Sequence, residues 1–332
     1  METDLHITNR CNLRCRHCVY DSGVTKMPEM TLQTVKTITP SLLSMGVDEV
    51  HITGGEPLVH REVYSIIAHL RASKFKVRMQ TNGRLLTKAC ADKLKEAGLN
   101  EIMISIDGAK EHHNYFRKSE RSFDEAIRAT KVALEAGFFV RVNTVLYQDN
   151  LDGIETLLAL TANIGVSQHS FFYLSPIGRG KELKEKMLSL SQWKDSYSYI
   201  LTIAKKMNIL DKVKLQDVFH GEDIFIEGYD ICRKDNCLIM ANGDVYSCVF
   251  FVGSEYAMGN IHQRNLLAIW EDQSFWDQLK APRKKRCPNK MCGGGCPGLA
   301  YLMTGSIDTC DPRCLPEQNL ISSCIRKYVE SK

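Results

Sequence analysis

Short apolar runs alternate with longer amphipathic segments through the first half of the chain. The short runs are rich in β-branched or aromatic residues and end at a turn or a polar residue, which predicts strands. The segments between them carry apolar residues at helical spacing, which predicts helices. The predicted strands are 4–8, 49–53, 76–81, 101–106, 139–146 and 169–174. The predicted helices are 31–44, 61–73, 87–97, 122–136 and 151–164.

The ends of several predicted helices carry residues typical of caps. Ser122 and Glu125 have the spacing of a capping box, in which Ser122 is the N-cap and Glu125 is the third helical residue. Gly137 stands where that helix should stop, and Gly98 and Gly165 follow two other predicted helices in the same way. These caps support the helix boundaries given by the apolar pattern.

Six strands separated by five helices are typical of repeated βαβ units, which form a parallel sheet covered by helices. Six units are fewer than the eight of a closed barrel. The sequence therefore predicts an α/β fold, with an open, partial (β/α)6 TIM-like barrel. We expect its active site at the carboxyl ends of the strands.

The pattern changes after about residue 181, where a helix at about 192–208 precedes a predicted strand at 212–218. From Cys232 onward, nine of the 13 cysteines fall within 93 residues, with Gly and Pro between them. Because little apolar periodicity accompanies them, metal or disulfides should hold this part together. We predict a barrel at 1–185, a linking helix and strand at 186–230, and a small cysteine-rich C-terminal domain at 231–332.

Composition narrows the possible function classes. The chain has 332 residues, with 43 Lys and Arg against 39 Asp and Glu, a net charge of +4. This near-equal number of positive and negative residues predicts neither a nucleic-acid nor a membrane partner. No apolar run approaches the roughly 20 residues of a membrane span, and no signal peptide precedes Cys11. A cytoplasmic chain is expected, in which dense cysteine indicates metal or redox chemistry more often than disulfides.

Cys11, Cys15 and Cys18 form a CxxxCxxC motif immediately after the first predicted strand. Three thiolates on such a loop can hold a [4Fe–4S] cluster and leave its fourth iron open to a substrate or cofactor. A zinc site is the alternative, with His17 or a distant residue as its fourth ligand.

Further motifs stand at the ends of the next predicted strands. They are Gly54-Gly55-Glu56-Pro57, Thr81-Asn82-Gly83, Ser105-Ile106-Asp107-Gly108 and, after the sixth strand, Pro176-Ile177-Gly178-Arg179-Gly180. Together with CxxxCxxC, they resemble the radical S-adenosylmethionine (radical SAM) superfamily over nearly the whole chain. The resemblance implies that Cys11, Cys15 and Cys18 bind a [4Fe–4S] cluster. It also implies that the amino and carboxylate groups of S-adenosylmethionine chelate the open iron.

The same resemblance implies which residues contact S-adenosylmethionine. Gly54, Gly55, Glu56 and Pro57 would bind it, with Glu56 accepting hydrogen bonds from its ammonium group. The other expected contacts are Asn82 after the third strand, Ser105 and Asp107 near the ribose, Arg117 at the methionine carboxylate, Asn143 on the fifth strand, and Ile177 in a segment that packs on adenine. His17 would pack beside adenine or the cluster.

The C-terminal cysteines resemble a SPASM domain, the auxiliary-cluster module of peptide-modifying radical SAM enzymes. Two further [4Fe–4S] clusters with full protein ligation would need eight cysteines, and nine are present. The resemblance implies that auxiliary cluster I is bound by Cys232, Cys237, Cys248 and Cys296. It implies that auxiliary cluster II is bound by Cys287, Cys292 and Cys314.

One auxiliary ligand departs from the family pattern, because a second cysteine near Cys287 is absent. Cys310 is the preferred replacement, since it lies in the same Gly- and Pro-rich loop as Cys314. The alternatives are Cys324 or an open iron. With Cys310 as ligand, Cys324 is a spare thiol, either a buried packing residue or a hydrogen-atom donor to a substrate radical.

The resemblance implies three [4Fe–4S] clusters and S-adenosylmethionine, which is cleaved reductively to a 5′-deoxyadenosyl radical that abstracts hydrogen from substrate carbon. The expected substrate is a ribosomally made peptide that is oxidised, crosslinked or epimerised. The alternatives are a small-molecule enzyme acting on a sugar, aminocyclitol or tetrapyrrole, and a non-enzymatic iron–sulfur electron carrier. Expected partners are a reductase such as flavodoxin or ferredoxin and a separate leader-peptide-binding protein.

Overall fold

The computed structural model describes residues 1–23, 28–215, 235–280 and 296–309. Its strands are β1 (Glu2–His6), β2 (Glu49–Thr53), β3 (Lys76–Thr81), β4 (Glu101–Ser105), β5 (Phe139–Leu146), β6 (Gln168–Tyr173), β7 (Val213–Leu215), β8 (Asn236–Ile239), β9 (Asp244–Tyr246) and β10 (Gly259–Asn260). Its helices are α1 (Leu32–Ser44), α2 (Val63–Ala72), α3 (Lys88–Glu96), α4 (Lys110–Arg117), α5 (Ser122–Glu135), α6 (Ile154–Ile164), α7 (Leu190–Lys206), α8 (Leu266–Trp270), α9 (Gln273–Lys280) and α10 (Pro297–Thr304).

The strands form one sheet in the order β10-β9-β8-β1-β2-β3-β4-β5-β6-β7. Every neighbouring pair from β8 through β1 to β7 is parallel. The pairs β8–β9 and β9–β10 are antiparallel. The α/β class and the partial barrel expected from the sequence are confirmed. The sheet also continues past β1 into the cysteine-rich part, because Thr3 on β1 pairs with Cys237 on β8.

The two faces of the sheet have opposite character. Side chains such as Leu5 and Ile52 pack in one apolar core that also includes Trp276 of α9. Strand side chains alternate between faces, so the opposite face carries the charged residues of β1 to β5. They form ion pairs at the amino-terminal half of the strands: Arg78 with Glu2 and Glu49, His51 with Asp4, and Arg141 with Glu101. Across the described ranges, no helix combines the length and apolar character needed to cross a bilayer.

Two details differ from the sequence-based expectations. Arg117, which lies outside the helices predicted from the sequence, is the last residue of helix α4. Ser122 is the first residue of α5 and not its N-cap, so the predicted capping box is wrong. Asn114 on α4 takes over this function, because its Oδ1 accepts hydrogen bonds from the Ser122 hydroxyl and the Phe123 N–H at 2.9 Å each.

Candidate active site

The CxxxCxxC loop leaves the carboxyl end of β1 and presents three cysteines that each contact an N–H donor. The backbone N–H of Leu13 donates to Cys11 Sγ, and that of Ser22 donates to Cys18 Sγ, at 3.4 Å each. Cys15 Sγ instead lies 3.7 Å from Nη1 of Arg117. Donors of this kind stabilise thiolates, the form in which cysteine binds metal.

Cysteine protonation responds strongly to this environment. Burial raises the pKa of Cys11 to about 12, although the Leu13 N–H lowers it in part. The neighbouring Cys15 and Cys18 raise it further, as expected for thiols that would ionise next to one another. A positively charged metal centre reverses this preference and releases the thiol protons when it binds.

The zinc alternative needs ligands that converge on a single ion. Within the described ranges, no three His, Cys, Asp or Glu side chains do so. A [4Fe–4S] cluster makes a different demand, because each cysteine binds its own iron. The His17 ring stacks on Phe116 with centroids 3.9 Å apart, and its buried Nδ1 has no hydrogen-bond partner among the residues that the structure describes.

Gly54 and Gly55, which follow β2, allow the backbone to pack against the cysteine loop. A Cβ atom on Gly54 would lie 2.5 Å from the carbonyl oxygen of Thr8, and a Cβ on Gly55 would overlap the carbonyl of Arg10. Backbone hydrogen bonds hold the segments together, from Gly55 to Thr8 at 2.7 Å and from Glu56 to Arg10 at 2.9 Å. In this structure the glycines serve the contact between two protein segments.

Glu56 joins the second and third motifs. Its carboxylate is fully buried and accepts hydrogen bonds from Thr81 Oγ1 and from the backbone N–H of Asn82, both at 2.8 Å. It also accepts one from the Leu58 N–H at 3.1 Å, in the 3₁₀ turn that begins at Pro57. Glu56 thus holds the turn after β3 in place beside the cysteines.

Asn82 lies directly against the cysteine loop. Its Nδ2 donates to Asn12 Oδ1 at 2.7 Å and lies 4.0 Å from Cys11 Sγ. The predicted site residues of the first three strand ends are therefore brought together around one loop.

Asp107 and Arg117 form a buried ion pair next to Cys15. Nε of Arg117 lies 2.6 Å from Oδ2 of Asp107, whose side chain is fully buried. Oδ1 of Asp107 accepts a hydrogen bond from the Val145 N–H at 3.1 Å. Burial alone would raise the pKa of Asp107, but Arg117 lowers it to about 2. Both oxygens of Asp107 thus have protein partners.

Three polar side chains form a row across neighbouring strands. Ser105 on β4 pairs in register with Asn143 on β5, and Asn143 pairs with Ser170 on β6. All three are buried. Asn143 Oδ1 and Ser170 Oγ have no hydrogen-bond partner among the residues that the structure describes. Buried polar atoms are rarely unpaired, so this row offers hydrogen bonds to a polar ligand.

The segment after β6 packs on the cysteine loop. Ile177 is buried, and a Cβ on Gly178 would overlap the carbonyl of Cys18. Arg179 donates from its backbone to the Cys18 carbonyl at 3.0 Å and from Nε to the Cys15 carbonyl at 2.7 Å. Its Nη1 pairs with Asp21 at 2.6 Å.

Residues that the sequence did not single out complete the site. Phe116 is sandwiched between the rings of His17 and Tyr147, at 3.9 Å and 4.3 Å. Asn150 donates from Nδ2 to the Asp107 carbonyl at 2.7 Å, and His113 Nδ1 accepts from the Asp107 N–H at 3.0 Å. No motif marks Phe116, Asn150 or His113, whereas Arg179 is visible in the sequence between two glycines.

Three cysteines expected at auxiliary cluster I are described. Cys237 is buried on β8, Cys248 ends the segment after β9, and Cys296 is the N-cap of α10. Burial and the nearby Cys296 raise the pKa of Cys248 to about 12, so these two thiols interact. The other cysteines of the expected auxiliary site lie outside the described residues, namely Cys232, Cys287, Cys292, Cys310, Cys314 and Cys324.

Family models match both parts of the chain. The Radical SAM superfamily model matches residues 5–161, and the SPASM iron–sulfur cluster-binding domain model matches residues 232–297. Mycofactocin maturase MftC of Mycolicibacterium smegmatis is 29% identical over 323 residues, covering 93% of this chain and 81% of that protein. An AdoMet-dependent heme synthase of Methanosarcina barkeri is 27% identical over 335 residues, covering 93% and 94%.

Solved structures share the fold. Streptococcus suis SuiB bound to precursor peptide SuiA has a TM-score of 0.81 and 20% identity, covering 95% of this chain and 76% of SuiB. Native anSMEcpe with bound AdoMet has a TM-score of 0.76 and 18% identity, covering 100% of this chain and 99% of that one. With the two models in this order along a parallel α/β sheet, the chain belongs to the radical SAM superfamily and carries a C-terminal SPASM domain.

Proposed function

We propose that Cys11, Cys15 and Cys18 hold the [4Fe–4S] cluster at which this enzyme cleaves S-adenosylmethionine. The observation that carries the proposal is that the three sulfurs lie on one loop after β1 and that each has an N–H donor, two from the loop backbone and one from Arg117 at the end of α4. When bound, this pair of cofactors supplies a 5′-deoxyadenosyl radical that takes a hydrogen atom from carbon.

The polar row of Ser105, Asn143 and Ser170 supports a binding site for S-adenosylmethionine beside the cysteines. Its unpaired buried oxygen atoms offer hydrogen bonds that no described residue uses. Glu56 and Asp107 already accept hydrogen bonds from the protein. We therefore propose that they mainly hold the loops around the cofactor, and that Asn143 and Ser170 contact it directly, with Ser105 beside them in the row.

The first experiment compares cysteine variants after anaerobic reconstitution with iron and sulfide. Changing Cys11, Cys15 and Cys18 to alanine should remove about four irons and abolish 5′-deoxyadenosine formation with dithionite as reductant. Cys90→Ala is the control, since Cys90 lies on α3 and its sulfur accepts a hydrogen bond from the Tyr64 hydroxyl. Undiminished 5′-deoxyadenosine from the triple variant would contradict the proposal.

For the substrate, we propose a ribosomally made peptide, which is oxidised, crosslinked or epimerised. The proposal is supported by the similarity to a mycofactocin maturase over 93% of this chain and by the fold shared with SuiB, which was solved with its precursor peptide. A tetrapyrrole is the second candidate, supported by the similarity to AdoMet-dependent heme synthases. A flavodoxin or ferredoxin as reductant, a separate leader-peptide-binding protein and a cytoplasmic location belong to the same proposal.

The two substrate classes are distinguished by which added compound is converted together with the formation of 5′-deoxyadenosine. Short peptides encoded beside this gene and iron porphyrins are each added to the reconstituted enzyme, and 5′-deoxyadenosine is measured with the mass of the added compound. A peptide substrate should raise 5′-deoxyadenosine above the rate without substrate and change mass in proportion. Coupled conversion of the porphyrin alone would contradict the peptide proposal.

We propose that the SPASM domain holds two further clusters. The first would be bound by Cys232, Cys237, Cys248 and Cys296, and the second by Cys287, Cys292, Cys310 and Cys314. The interaction of Cys248 with Cys296 supports the first of these sets. The chain should then bind about twelve irons, and the triple cysteine variant about eight. Only four irons per wild-type chain, together with stoichiometric zinc, would contradict this number.

A further inference from the structure

The three cysteines of the loop differ in the donor that contacts each sulfur. Cys11 and Cys18 contact neutral backbone N–H groups, whereas Cys15 contacts the guanidinium of Arg117 at 3.7 Å. We infer that Arg117 is a positioning residue that sets the reduction potential of the cluster through Cys15. This inference rests on the proposed cluster at Cys11, Cys15 and Cys18.

The guanidinium is fixed from several directions. Its Nε pairs with Asp107 at 2.6 Å, and Asp107 is itself held by the Val145 N–H. Phe116, the preceding residue, is fully buried in the aromatic stack with His17 and Tyr147. The Phe116 carbonyl also accepts the N–H of Arg16, which ties the end of α4 to the cysteine loop. The contact with Cys15 is therefore built into the fold.

Reduction adds one negative charge to a cluster, and a buried cation beside a ligand sulfur stabilises that charge. The Arg117 side chain is only 10% exposed, so water screens this attraction weakly. Arg117 should therefore make the cluster easier to reduce. Asp107, on the other side of the guanidinium, opposes this effect with its negative charge. The two side chains should shift the potential in opposite directions.

The test is a redox titration of the fully reconstituted enzyme, followed by EPR of the signal that changes when S-adenosylmethionine is added. Arg117→Gln should shift the midpoint potential of that signal to a more negative value, and Asp107→Asn to a less negative value. Arg117→Lys keeps the charge and should give a smaller shift than Arg117→Gln, which also covers the case in which Arg117→Gln folds poorly.

Arg16→Gln is the matched control. Like Arg117→Gln, it removes one positive charge, in this case from the cysteine loop itself. The Arg16 guanidinium, however, stacks on the exposed Tyr115 ring, 4.2 Å from the ring centroid. Its effect on the potential should be much smaller than that of Arg117→Gln.

Several outcomes would overturn the inference. One is an unchanged potential in Arg117→Gln with full iron content, whether or not its affinity for S-adenosylmethionine falls. A loss of affinity alone would identify Arg117 as a contact of the cofactor's carboxylate. Shifts of the same sign in Arg117→Gln and Asp107→Asn would indicate a general disturbance and also overturn it. A wild-type chain without the S-adenosylmethionine-responsive signal would instead refute the proposed cluster, a result that is read before any variant is titrated.

Discussion

His169 on β6 is a buried histidine whose two ring nitrogens are both used. Nε2 lies 2.8 Å from Thr144 Oγ1, and Nδ1 lies 2.9 Å from Thr161 Oγ1. The ring stacks on Phe171. Burial lowers the pKa of His169 to about 3. In the unfolded chain its pKa is about 6.5, so between these values the unfolded state binds a proton that the folded state does not.

This proton makes stability depend on pH. The contribution of His169 to the free energy of unfolding is fully present above about pH 6.5 and should fall as the pH is lowered from 6.5 towards 3. His169→Gln should reduce the slope of unfolding free energy against pH by up to about 1.4 kcal/mol per pH unit. Urea denaturation at several pH values between 5 and 7 measures it. His262→Gln, at an exposed position, is the control variant. Equal slopes of unfolding free energy against pH for wild type and His169→Gln would contradict the argument.

A second residue-scale prediction concerns the close packing of Gly55 on the cysteine loop. A methyl group there would overlap the Arg10 carbonyl, and because this carbonyl is part of the backbone, the loop has to move. Gly55→Ala should therefore lose about four irons, those of the cluster on this loop. Iron analysis after reconstitution measures the loss. Gly153→Ala is the control, since its Cβ would meet no atom closer than 3.8 Å; equal iron in both variants would contradict the prediction.

At this scale the sequence predicts which residues surround the site but not their partners. Glu56, Asn82 and Asp107 are found around the cysteine loop, at strand ends that the motifs mark, and Arg117 reaches Cys15 from the end of α4. The sequence does not show that Arg117 faces both Asp107 and Cys15, because that depends on the angle at which its helix leaves β4. The assignment of these side chains to S-adenosylmethionine stays a prediction.

At the scale of elements, α4 is the barrel helix that the apolar pattern missed. Its sequence, KEHHNYFR, is mostly polar, and its buried residues are His113, Phe116 and Arg117. A helix that buries an arginine and a histidine leaves little apolar periodicity to detect. The same helix supplies Asn114, whose contact with the start of α5 explains why Ser122 is not its cap. Both differences have one origin in tertiary contacts.

The end of α4 gives a stability prediction. Lys118 terminates the helix in the left-handed conformation at φ 54°. That conformation costs a non-glycine residue about 1 kcal/mol, and glycine avoids this cost. Glycine also gives the unfolded chain more conformational freedom, which offsets part of the gain. Lys118→Gly should raise the free energy of unfolding by about 0.5 kcal/mol, measured by chemical denaturation. Lys131→Gly, at an exposed position inside α5, should lower it by about 1 kcal/mol. A loss of stability in Lys118→Gly would contradict this account.

At the scale of the whole molecule, the barrel and the SPASM part share a sheet and a core. β8 pairs with β1, the Glu2 N–H donates to the Asp235 carbonyl at 2.8 Å, and Leu5 and Trp276 belong to one apolar cluster. The sequence predicted the parallel barrel from its repeated pattern. It did not predict this pairing, because β8 is only four residues long and carries a cysteine that metal binding also explains.

This shared core predicts a single unfolding transition for the two parts. Trp193→Phe leaves Trp270 and Trp276 as the tryptophans, both in the C-terminal part. Their fluorescence should follow the same urea dependence as the far-UV circular dichroism, to which the barrel helices contribute most. The loaded enzyme is measured under anaerobic conditions. A fluorescence transition at a clearly lower urea concentration would show that the C-terminal part unfolds independently.

The position of β1 between β2 and β8 has a consequence for synthesis of the chain. Its pairing with β2 joins residues 47 apart, Glu2 with Glu49, but its pairing with β8 joins Glu2 with Asn236, 234 residues later. A growing chain therefore completes the six strands of the barrel while one edge of β1 is still unpaired. Open edges invite pairing with other chains, and the charged Glu2 and Asp4 on β1 are the kind of residue that discourages it. The segment that carries β8 therefore covers the second edge of β1 only after all six barrel strands have been made.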